Sequence, residues 1–104
     1  MRYFGHVFAT KTLVQNRLPV AFMYRETPDG KTDSGWRFFS GVEDQAYVDD
    51  PNNIGIYSVD TVLKIDPAIA PYLLSEPRKA YERISGSNEF REVPDFRFEA
   101  VNER

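Results

Sequence analysis

The segment from Pro19 to Gly41 constrains the fold more than any other part of this chain. Val20-Ala21-Phe22-Met23-Tyr24 is a short, continuous apolar run, and a strand of that type is usually central, with both faces covered. Thr27-Pro28-Asp29-Gly30-Lys31 follows. Pro presets φ for a turn, Asp bonds its own backbone and Gly tolerates a positive φ, so the chain is expected to reverse here. Trp36-Arg37-Phe38-Phe39 then reads as a second aromatic strand, and Gly41 releases the chain. The result is an antiparallel hairpin with a loop longer than a minimal turn. It is expected to bring Phe22 and Tyr24 near Trp36 and Phe38, in cross-strand aromatic pairs worth about 0.2–1 kcal/mol each, which favour this partner strand without fixing the register.

Around this hairpin the elements are short. Tyr3 to Ala9 has apolar residues on both sides of a period of two and reads as a strand, and Thr10 to Leu18 reads as a connection with a helical turn. Glu43 to Val48 suits one or two helical turns behind early acids. Asp49-Asp50-Pro51-Asn52-Asn53 is a loop, Ile54 to Tyr57 a strand, and Ser58 an N-cap for a short helix over Val59 to Leu63. Asp66-Pro67 repeats the helix-start signal ahead of Ala68 to Leu74, which contains Pro71. Ala80 to Ile84 and Phe96 to Val101 alternate like strands, with Ser85 to Asn88 as a loop. Strands mixed with short helices, without regular βαβ alternation, predict an α+β fold: a single domain over residues 1–104, with a largely antiparallel sheet, a central aromatic hairpin and two or three short helices.

Composition narrows the function classes. A chain of 104 residues is long enough for one core and too short for two ordinary ones. With no Cys, disulfide scaffolds, thiolate metal sites and cysteine nucleophiles are excluded. The missing Cys, together with the lack of a signal-like N-terminus or a membrane-length apolar run, leads us to expect a cytoplasmic protein with no membrane partner. A net charge of -3 argues against a nucleic-acid partner. The charge is unevenly placed: residues 26–66 hold nine acids against Lys31, Arg37 and Lys64. Such a segment serves either as a solvated face or as a docking surface for a basic partner.

Motifs for chemistry fail one by one. His6 is the only histidine and lies inside an expected strand, with no accompanying nucleophile motif. Asp50-Pro51-Asn52-Asn53-Ile54-Gly55 begins like a calcium loop, but Ile54 and Thr61 fall where ligand oxygens are needed. Glu43, Asp44, Asp49 and Asp50 include carboxylates that an acid–base pair would require, yet acidic domains carry such clusters routinely. No glycine-rich phosphate loop is present. We therefore expect no catalytic residue, no metal and no cofactor. Trp36, the single Trp, fits two roles: a core aromatic, or an interface anchor in a patch extended by Tyr24, Arg25, Arg37 and Tyr47.

Several of these runs together form a pattern: Phe22-Met23-Tyr24-Arg25-Glu26, then Asp33-Ser34-Gly35-Trp36-Arg37-Phe38-Phe39-Ser40-Gly41, Glu43-Asp44, Tyr47, Asp50 to Tyr57, and Ile65-Asp66-Pro67. The chain resembles a bacterial domain-of-unknown-function family grouped with predicted immunity proteins of polymorphic toxin systems. The resemblance spans roughly residues 19–83, and Asp33-Ser34-Gly35-Trp36 is its most specific element. It implies a protein that binds a cognate toxin and blocks it, using a surface and no chemistry. The contact residues expected on that reading are Tyr24, Arg25, Asp33, Trp36, Arg37, Glu43, Asp44, Tyr47, Asp49 and Asp50. The alternative is a regulatory or small-ligand-binding domain in which Arg25 and Trp36 line a polar pocket. Oligomeric state is left open, since an exposed hairpin edge can pair with a second copy.

Overall fold

Turn chemistry and apolar runs place the hairpin where the sequence predicts it. In the computed structural model, which describes residues 5–28 and 30–98, strand β2 (Phe22–Arg25) pairs antiparallel with β3 (Asp33–Phe39). Asp29 of the expected turn lies outside the described residues. The other strands are β1 (His6–Thr10), β4 (Ile54–Ser58), β5 (Lys79–Arg83) and β6 (Phe90–Glu92). All six form one sheet in the order β4-β1-β3-β2-β5-β6. Among the described residues only the β1–β3 pair is parallel, which gives the mostly antiparallel α+β architecture expected.

Among the described residues, three short α-helices, α1 (Lys11–Gln15), α2 (Gln45–Asp49) and α3 (Val59–Ile65), connect strands of the sheet. Their ends follow capping chemistry. Ser58 accepts from the Thr61 amide at the start of α3, and Asp44 accepts from the Tyr47 amide at the start of α2. Asp66 caps a 3-10 segment at Pro67–Tyr72, where the sequence predicts a helix over Ala68 to Leu74. Pro71 has no amide hydrogen to donate to a helical ladder, so the segment stays short.

One face of the sheet carries the main core. Val7, Ala9, Met23, Trp36 and Phe38 pack against Leu13 of α1, Val59 and Val62 of α3, and Ile69 and Leu73 beyond it. Asp66 ties this layer to the sheet by accepting from the Val20 amide and from the Arg83 guanidinium. The opposite face has a smaller cluster, in which Tyr24, Ala80 and Phe98 pack with Phe22, Phe39, Val93 and Phe96.

Register corrects one expectation. Phe22 stands opposite Phe39 and Tyr24 opposite Arg37, while Met23 faces Phe38. Phe22 and Tyr24 thus share a face with Phe39 and Arg37, away from Trp36 and Phe38, because a shift of one residue exchanges the two faces of a strand. The expected last strand also differs. Phe96 to Phe98 is not a strand, and residues 99–101 lie outside the described residues. The edge position is taken by β6, a segment the sequence reading leaves unassigned.

Candidate functional site: an open sheet face over a buried ion network

The Asp-Ser-Gly-Trp run is a built irregularity in β3. On β1 the step from His6 to Phe8 matches the step from Asp33 to Arg37 on β3, so β3 carries two extra residues there. Gly35 takes φ 92°, and a Cβ on it would stand 2.3 Å from the Glu26 carbonyl oxygen. The side chains of the motif satisfy its own backbone: Asp33 Oδ1 accepts from the Gly35 amide at 2.9 Å, and Ser34 Oγ accepts from the Trp36 amide at 3.1 Å. Gly35→Ala is therefore expected to destabilise the fold by more than about 1 kcal/mol, since both φ and close backbone approach oppose a side chain. Chemical denaturation checks this, and an unchanged midpoint contradicts it.

The bulge aims Arg37 at Asp33. The guanidinium donates to both Asp33 oxygens, at 2.9 and 2.8 Å, and through Nε to Glu26 at 2.6 Å. It also lies 4.0 Å from the centre of the Phe8 ring. Burial works against the charge on Arg37, but its bonds to Asp33 and Glu26 prevail and hold its pKa above the ordinary value. Arg37 and Asp33 are each only 4% exposed, so this network is part of the scaffold.

Above the network lies the open part of the second face. Two clefts of about 630 and 620 Å³ flank Val48 and Asp49 of α2. Phe22, Phe39 and Phe96 line the first, while Phe8, Ile54 and Ile56 line the second. Ile56, opposite Phe8 across the β1–β4 pair, is 66% exposed. Asp49 and Asp95 line this surface, with Arg97 as a base on the first cleft, and the exposed Asp44 and Asp50 flank α2.

The ten expected contact residues separate by burial. Trp36 has no exposed surface, and its Nε1 donates to the Leu73 carbonyl at 3.0 Å, which places it in the core. Tyr24, Asp33 and Arg37 are buried as well, and Tyr24 forms part of the floor of the first cleft. Arg25 is half-buried, donating to the Ser34 and Ser75 carbonyls, and burial lowers its pKa against the opposing charge of Asp33. Neither Arg25 nor Trp36 lines the two clefts. Tyr47 is half-buried with its hydroxyl accepting from the Thr12 amide, and Asp44, Asp49 and Asp50 face solvent. Phe8, Val48, Ile54 and Ile56 escaped the sequence reading, although the Ile54-Gly55-Ile56 alternation signals one apolar side of a strand.

Glu43 locks the loop after β3. It accepts from Thr10 at the end of β1, from the Ser40 amide and hydroxyl, and from the Gly41 amide. Burial alone would raise its pKa, but these hydrogen bonds reverse the shift and hold it below the ordinary 4.5. A depressed carboxylate stabilises the fold above its unfolded pKa, and that contribution is lost as pH falls through the folded value. Glu43→Gln is expected to be less stable than wild type at pH 6, with the gap narrowing by pH 3. Urea midpoints across that range check it, and a gap independent of pH contradicts the role.

The fold and site define a class: a small α+β protein with one sheet face packed by helices and the other partly open, apolar and edged with acids. Residues 7–94 match the family model described as Immunity protein Imm33 domain, and the chain belongs to that family. This agrees with the resemblance to immunity proteins of toxin systems, and membership supports an immunity-type role. No curated protein and no solved structure matches the chain. Among the described residues, no helix is long and apolar enough to cross a membrane, and no cluster of three His, Cys, Asp or Glu side chains is arranged to hold a metal.

Proposed function

We propose that this protein binds a cognate bacterial toxin protein in the cytoplasm and neutralises it by occupying it, with no chemistry of its own. The observation that carries this reading is the family match over residues 7–94. The open face supports it physically, because apolar surface left exposed beside acidic residues suits association with a protein partner. On this reading Asp44, Asp49 and Asp50 contact the toxin directly, with Tyr47 beside them. Tyr24 lies in the floor of the first cleft, Arg25, Asp33, Trp36 and Arg37 act from beneath by fixing the shape of the sheet, and Glu43 fixes the loop leading into α2.

The test is rescue. A toxin domain encoded alongside this gene is expressed in a bacterial host with and without the protein, and growth is followed. Restored growth together with co-purification of the pair is expected. If the toxin stays lethal in the presence of folded protein, the proposal fails.

A further inference from the structure

The two edges of the sheet differ in a way that bears on how a partner docks. At one end β6 is three residues long and carries Arg91 and Glu92, whose charges discourage further strand pairing. At the other end β4 is five residues, Ile-Gly-Ile-Tyr-Ser, with no charge and no Pro. Among the described residues β4 pairs with β1 alone. An uncharged outer strand presents a row of backbone donors and acceptors to any extended segment that approaches. Its open-face side chains, Ile54 and Ile56, continue directly into the cleft lined by Phe8 and Val48.

Charge selects the occupant. Exposed Asp49 and Asp50 precede β4, and exposed Asp60 follows it in the first turn of α3. Lys11, one residue past the Thr10–Ile54 pair, opens α1 and is not part of the edge strand. Two copies of this chain pairing antiparallel through β4 would bring the Asp49–Asp50 end of each toward the Asp60 end of the other, acid against acid. Like charges so placed oppose a symmetric pair, while an incoming strand with basic residues at both ends meets opposite charge at each.

We infer that the toxin docks by adding an extended segment to β4 as a seventh strand, its apolar side chains resting on Ile54, Ile56 and Phe8 and its flanking Lys or Arg residues facing Asp49, Asp50 and Asp60. This rests on the toxin-binding reading and specifies its interface. Strand addition draws affinity from main-chain hydrogen bonds and specificity from alternate side chains.

The experiment uses the full chain and the toxin domain encoded beside it, inactivated for handling. Ile56→Lys alters an exposed side chain, so the fold is retained, and it is expected to weaken the complex by about tenfold to a hundredfold. Leu74→Lys, at an equally exposed apolar residue off this edge, is the control and leaves affinity unchanged. Amide exchange across Ile54–Ser58 is expected to slow in the complex. Wild-type affinity for Ile56→Lys, or exchange in β4 unaltered by the toxin, overturns strand addition while leaving toxin binding intact. A dimer of the protein alone that Ile56→Lys abolishes also overturns it, by giving the edge to a second copy. If wild type binds no toxin, the functional reading fails and this inference falls with it.

Discussion

Replacing Arg37 with Met is expected to lower the stability of the fold by about 3–5 kcal/mol, the usual effect of removing one partner from a buried ion pair. The substitution keeps most of the side chain's length but takes away the guanidinium that both Asp33 oxygens accept from, along with the bond to Glu26. Asp33 would then keep its bond to the Gly35 amide while its charge lost its closest compensation. For a domain of this size the melting temperature should fall by about 15 °C or more. The double substitution Asp33→Asn with Arg37→Met is expected to cost less than the sum of the two singles, because the first loss removes the reason for the second. Urea unfolding followed by the fluorescence of the single Trp measures all four chains. Additive effects would mean that the two side chains do not act as a unit.

Trp36→Ala is the second large effect, at about 3–5 kcal/mol, the range for deleting a large aromatic from a core. Trp36 stacks on Phe38 and on Tyr81, with ring centres 5.8 and 6.4 Å away, so its removal opens a void on the helix-covered face. Trp36→Phe should cost less, about 1–3 kcal/mol, chiefly because the buried Leu73 carbonyl loses its indole donor. Both variants are followed by circular dichroism. The placement of Trp36 also predicts that Trp36→Phe retains affinity for the toxin, since the ring reaches no partner. A large loss of affinity in a folded Trp36→Phe protein would contradict its assignment to the core.

These two residues show what the sequence revealed and what it hid. The hairpin was legible because its causes are local: turn chemistry at Thr27 to Lys31 and apolar runs on either side. The caps at Ser58 and Asp66 were legible for the same reason. The parallel pairing of β1 with β3 joins segments far apart in the chain, and no local pattern announces it. Asp33 and Arg37 read as contact residues in sequence, since nothing there shows that two residues sit out of step with β1 and turn both inward. Within that irregularity each position of Asp33-Ser34-Gly35-Trp36 has a steric or hydrogen-bonding duty. The motif serves the fold, whereas the proposed contact surface lies in residues such as Val48, Asp49, Ile54 and Ile56.

Stoichiometry tests the central claim, neutralisation by occupancy, most directly. Purified toxin domain at a concentration well above the dissociation constant is titrated with this protein, and the remaining toxin activity is read at equilibrium. Neutralisation by occupancy gives a linear fall to zero that ends at one molecule of protein per toxin, with activity recovered when the complex is separated. Activity unchanged at excess protein would contradict binding, and complete loss at a small fraction of one equivalent would contradict occupancy by revealing chemistry.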